Sequence, residues 1–157
     1  MDSSAEMLDD LGDIEFELGW ADSALVHYRA SEEADTTEIH RAWVYWESGE
    51  RELAERHLRA LTALAREELE EGSQSSFPYI VLMTVHAIRG AEEEAVDALA
   101  SAVDRGWRVY RWFDDIAVLR KTRERLRDNE RFQRILRELG ARGDSMRAEA
   151  ERRGCVR

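Results

Sequence analysis

The chain has 157 residues, 43% of them apolar and 36% charged, with a single proline; this fits one domain large enough to bury a core and excludes long disordered stretches away from the ends. Seven arginines face 24 acids in residues 1–100, a net charge of −17, whereas residues 101–157 carry +6; a globally basic nucleic-acid binder is excluded on that balance. Cys155 is the one cysteine, so no internal disulfide is available, and no window reaches the ~18 apolar residues of a membrane-spanning helix. A soluble, reducing, cytoplasmic setting is the expectation.

Alanine, leucine, glutamate and arginine dominate, and valine and isoleucine are sparse, which is helix-forming composition. The first helix is predicted over 4–18, capped by Ser3 or Ser4, with Met7, Leu8, Leu11, Ile14 and Leu18 in an apolar stripe. Gly19 stops it, and Asp22 or Ser23 caps a second helix over 24–33. The run Asp35-Thr36-Thr37-Glu38 reads as a capping box for a third helix ending near Ser48, with Gly49 as its stop. A long fourth helix covers 50–71, and Gly72 to Ser76 form a loop. Pro78 opens a fifth helix over 78–89, ended by Gly90, and a sixth covers 92–105, ended by Gly106. Beyond it Trp107, Tyr110, Trp112, Phe113, Ile116 and Leu119 crowd together before a strongly basic stretch. Asp128 or Asn129 caps a last helix with Phe132, Ile135, Leu136 and Leu139 on one face. The polar tail 141–157 either continues it or frays.

A glycine, an alanine five residues on and a larger side chain nine residues on recur three times: Gly19, Ala24 and Tyr28; Gly49, Ala54 and Leu58; Gly90, Ala95 and Leu99. Short helix pairs cannot bury an apolar face alone, so such units stack. Together with Leu11, Gly12 and Ser31, with Ala42 and Tyr45, and with Tyr79, Leu82 and Ala102, these residues resemble tetratricopeptide repeats (TPR). The units start 30 and then 41 residues apart, unlike the family's about 34. Glu15 stands where an aromatic is common, Leu61 where a small residue is usual, and no unit has the closing proline.

The resemblance implies an all-α fold: an α-solenoid of three hairpins, at about 5–34, 35–72 and 76–106, closed by capping helices over 107–140 and followed by the tail. The stretch from Ala95 to Asp115 with that from Arg127 to Leu139 resembles the capping end of such arrays in bacterial multidomain regulators and enzymes. On that likeness the chain is a complete adaptor or a piece of a larger regulator. The bottom-up reason for a cap is that the last unit of a stack exposes an apolar face, and Trp107, Tyr110, Trp112 and Phe113 are able to cover it.

The resemblance further implies a concave groove lined by Glu6, Asp9, Asp13 and Phe16, by Thr36, Ile39, Trp43 and Trp46, and by Phe77, Ile80, Thr84 and Ala87. Ile39, Trp43 and Trp46 also share one side of their helix by spacing alone. A groove with an acidic side and an aromatic floor suits a peptide or helix bearing Lys or Arg beside apolar anchors. The competing reading makes Trp43 and Trp46 interhelix packing. The partner expected is therefore a protein or peptide, with self-association a further option; nucleic acid and membrane are disfavoured.

No catalytic constellation emerges, and no cofactor is expected. Glu6, Asp9, Asp10, Asp13 and Glu17 form a carboxylate row better read as a solvated face than as a cation site. His27, His40, His57 and His86 are scattered over four helices without metal-ligand spacing. Asp114-Asp115 reads as a helix cap, and Cys155 has no base beside it. The one basic patch, Arg120, Lys121, Arg123, Arg125, Arg127, Arg131, Arg134 and Arg137, is expected to meet the acidic units, within the chain or in a neighbouring copy. The alternative functions are a nucleic-acid-associated or a small-molecule-sensing regulatory domain.

Overall fold

The computed structural model describes residues 3–31, 38–108 and 111–153. Within them the chain is all-helical, with no strand. Three helix pairs come first: α1 (Ser3–Glu17) with α2 (Ala21–Ala30), α3 (Ile39–Glu47) with α4 (Arg51–Glu70), and α5 (Phe77–Arg89) with α6 (Glu92–Asp104). The short α7 (Trp112–Asp115), α8 (Ala117–Arg125) and α9 (Glu130–Arg152) follow. Adjacent pairs touch through α2 with α3 and α4 with α5, α8 lies against α1, α3 and α5, and α9 lies against α6. No helix among the described residues is long and apolar enough to cross a membrane.

The helix pairs share one stop. Gly19, Gly49 and Gly90 have φ of +82°, +86° and +77°, a region that costs any other residue a Cβ clash. After each, the next N–H turns back to a carbonyl five residues earlier: Trp20 to Glu15, Glu50 to Tyr45 and Ala91 to His86, at 2.8–2.9 Å. That is the bond that closes a helix whose last carbonyls would otherwise lack donors. Ala24, Ala54 and Ala95 are fully buried, as are Tyr28, Leu58 and Leu99. The second helix of each pair thus presses a methyl group, and then one large side chain, into the core. Gly12 serves the same packing from the other side, because a Cβ there would lie 2.5 Å from Tyr28 Cε1.

At the C-terminal end Phe113 sits edge-on between Trp107 and Phe132, with centroids 5.4 and 5.6 Å away. All three are buried, while Trp112 is exposed, and Tyr110 lies outside the described residues. Asn129 caps α9, its side chain accepting from the Phe132 N–H at 3.0 Å. The helix then runs through Gly140 and Gly143 to Arg152, so most of the tail continues it.

Several local expectations change. The second helix begins three residues early, at Ala21, and has no side-chain cap; Ser23 instead donates to Glu15 at 2.6 Å. The third begins at Ile39, with Glu38 at the N-cap position and no side-chain cap bond, and Asp35 to Thr37 lie outside the described residues. Asp114 and Asp115 do not cap α8. Its first N–H, on Ala117, donates to the Glu17 carboxylate at 3.0 Å, from the end of α1. In the α1 stripe, Met7, Leu11, Ile14 and Leu18 are 61, 41, 56 and 57% exposed; the residues this helix buries are Gly12 and Phe16.

The candidate interaction face and its resident helix

α1, α3 and α5 each turn one face toward α8, and the groove residues lie on those faces or at their margins. Phe16, Trp43, Ile80, Thr84 and Ala87 are buried, Asp9, Asp13, Ile39 and Trp46 are half-buried, and Glu6 and Phe77 are exposed. Thr36 lies outside the described residues. Phe16 and Trp43 are enclosed in the core, Trp43 as interhelix packing, and α8 of the same chain lies against them.

α8 meets this floor with both apolar and basic groups. Ala117, Val118, Leu119 and Thr122 are buried. Lys121 Nζ lies 5.7 Å from the Phe16 ring centroid and 6.0 Å from that of Trp43, and its ammonium pairs with Glu47 at 2.9 Å. Arg125 lies over the Trp43 ring at 5.1 Å. Its guanidinium also donates to the Ile88 carbonyl at 3.0 Å, near the end of α5. Burial pushes the Glu47 carboxyl up, but Lys121, Trp43 and Arg125 together outweigh it and hold the group below its ordinary range. Farther along, Arg131 of α9 pairs with Asp97 of α6 at 2.5 Å and Asn129 donates to Glu93 at 3.1 Å. The basic C-terminal segment therefore does meet the acidic units within one chain.

The acidic side of the face is also engaged. Arg41, almost wholly buried, pairs with Asp9, donates to Ser31 Oγ at 3.0 Å and lies 5.1 Å from the Tyr28 ring centroid. Tyr28 donates to Asp13 at 2.6 Å. His40 Nδ1 is 3.2 Å from Asp13 Oδ1, its Nε2 is 3.7 Å from Glu17 Oε1, and its ring stacks on Phe16 at 5.1 Å. Burial disfavours a charge on His40, yet the Asp13 contact and the Asp13, Glu17 and Glu38 carboxylates raise its pKa above the ordinary value. Trp46 is covered on one side by Arg51, 3.9 Å from its ring centroid.

Asp13, Glu38 and His40 bring one ligand atom each within 4.8 Å of one another, the one such group among the described residues. Within that group the His40 ring is already engaged by Asp13 at 3.2 Å, and by Glu17 at 3.7 Å on its other nitrogen. Of the other histidines, His27 pairs with Glu15 at 2.6 Å and His57 is buried beside Tyr45.

Sequence reasoning missed Arg41, His40 and Glu17 as members of this site. The available signal was composition: Arg41 interrupts the apolar run Ile39 to Trp46, and a lone charge inside such a run needs a buried partner. Glu17 gave no local sign, because its acceptor role depends on a residue 100 positions away.

Compared with known proteins, the chain matches no family model, no curated protein and no solved structure.

Proposed function

We propose that the chain is a non-enzymatic protein-interaction module, a solenoid of three TPR-like hairpins whose first-helix face receives a helix carrying basic and apolar groups. The seating of α8 carries this reading. Lys121 and Arg125 stand over Phe16 and Trp43 while Val118 and Leu119 are buried beside them. This is the chemistry an aromatic floor with an acidic margin selects. α8 holds the seat in the isolated chain, and a partner helix of the same character exchanges with it. A tethered segment competes at an effective concentration on the order of millimolar, so a rival is detected most easily once α8 is loosened.

The test is a labelled peptide spanning residues 112–127, titrated by fluorescence anisotropy against the Lys121→Glu/Arg125→Glu chain after its fold is checked by circular dichroism. Binding that disappears when Trp43→Leu is added, with the helical circular dichroism signal retained, supports the reading. Absence of binding to the loosened chain, or binding indifferent to Trp43, refutes it.

Small-molecule sensing is the second reading, and one cavity favours it. A space of about 160 Å³ lies between α3, α5 and the α7–α8 segment, lined by Ile39, His40, Ile80, Thr84, Trp112 and Leu119. It is below the ~300–1,000 Å³ usual for ligand pockets, which ranks this reading second. A thermal shift with a small apolar compound, lost on filling the cavity with Thr84→Leu, would reverse the ranking.

A further inference from the structure

Two exposed surfaces at opposite ends of the helix order are left unused by the α8 seat. The first is the outer side of α1. Met7, Leu11, Ile14 and Leu18 follow a four–three–four spacing and are 41–61% exposed. They leave on the order of a few hundred Å² of apolar surface, about the largest patch a monomer usually carries and one that is often functional. Glu6 and Asp10 flank it, both exposed and without an ion pair among the described residues.

The second is an open cleft of about 690 Å³ along α9. Arg108, Arg111, Arg123, Arg137 and Arg147 line it, with Asp144 as the one acid. Arg123 is paired with Asp114 and Arg108 donates to the Val103 and Trp107 carbonyls. Arg111, Arg137 and Arg147 have no such partner among the described residues. Its floor includes Leu136, Gly140 and Ala141.

We infer that the α1 stripe of one copy docks in the arginine cleft of a second copy, giving head-to-tail self-association. The surfaces match in three respects. Apolar side chains with carboxylates beside them meet a cleft lined by the small residues Gly140, Ala141 and Gly143 and flanked by guanidiniums. The stripe spans about 17 Å of helix and the α9 residues of the cleft about 21 Å, at 1.5 Å per residue. Among the described residues α1 and α9 do not contact each other within the chain, so the two surfaces meet between copies. Pairing of two α1 stripes is disfavoured because each would face the other's acids. A head-to-tail contact is heterologous, so growth continues past the dimer unless a ring closes.

The experiment is sedimentation velocity over a concentration series, at about 0.02 M and at about 0.5 M salt. At low salt the average mass should rise beyond that of a dimer, and high salt should weaken the association about tenfold or more. Glu6→Arg/Asp10→Arg and Arg137→Glu/Arg147→Glu, all on exposed side chains, should each abolish association alone. Mixing the two variants should restore it, because each then offers the charge the other lacks. A monomer at every concentration overturns the inference, as does association that ignores both charge reversals. A monomer that instead binds duplex DNA through Arg137 and Arg147 overturns it in favour of a nucleic-acid role for the cleft.

Discussion

Arg125 and Trp43 are 82 residues apart in sequence, yet the guanidinium lies over the indole at 5.1 Å and from there reaches the Ile88 carbonyl. One side chain thereby ties α8 to both α3 and α5. A cation over an indole contributes about 0.5–2 kcal/mol, and a charged hydrogen bond to a carbonyl contributes a similar amount. Arg125→Ala should therefore lower unfolding stability by about 1–2 kcal/mol in urea titrations. Arg125→Lys should recover only part of it, since an ammonium cannot stack and donate in the same plane.

Trp43 should be far less tolerant. It is fully buried and touched by cations from α8 on one side. Trp43→Ala removes a large buried ring and should cost about 3–5 kcal/mol. A loss near that of an exposed residue such as Trp112, measured by the same titration, would mean that the ring is not enclosed.

Gly12 and Gly19 should fail for different reasons. At Gly12 an added methyl meets Tyr28 Cε1 at 2.5 Å and Cδ1 at 2.7 Å. Tyr28 is buried and anchored to Asp13, so it cannot easily give way. Gly12→Ala should cost about 1–3 kcal/mol despite alanine's better helix propensity. Adding Tyr28→Leu should make the double variant better than additive. At Gly19 there is open space but φ is +82°; Gly19→Ala should cost about 1–2 kcal/mol, and no change at Tyr28 should relieve it.

His40 should give the fold a pH signature. Its folded-state pKa is raised by Asp13 and the neighbouring carboxylates against the opposing effect of burial. The stabilisation is thus fully present below the unfolded value of about 6.5 and is lost as pH rises through the higher folded value. The advantage of the parent chain over His40→Asn, from urea midpoints at several pH values, should be largest in mild acid and vanish in base. His86 shifts the other way, lowered first by burial, but it is common to both chains and cancels. A difference independent of pH would contradict the Asp13–His40–Glu17 arrangement.

The helix pairs were legible in the sequence because their signals are local. A glycine stop, a buried alanine and a large side chain at fixed spacing act within one pair, and Gly19, Ala24 and Tyr28 do so as their spacing implies. What covers Phe16 and Trp43 was not legible, since periodicity says which side of a helix is apolar and not which segment lies on it. The basic run around Lys121 and Arg125 was expected to meet acidic units, as Lys121 does at Glu47. That it also meets the Phe16 and Trp43 rings and the Ile88 carbonyl was not legible, because these belong to helices far earlier in the chain. The α1 stripe shows the same limit. Its spacing marked an apolar face, while the face buried against α2, α3 and α8 is the one bearing Phe16 and the partly sheltered Asp9 and Asp13.

Amide hydrogen exchange of α8 in the intact chain tests the seat on the first-helix face most directly. With α8 held by Phe16, Trp43 and Ile88, its amides from Leu119 to Arg125 should be slowed well beyond unstructured rates, and Trp43→Leu should speed them selectively. Exchange of these amides at unprotected rates, while α3 and α5 remain protected, would contradict it.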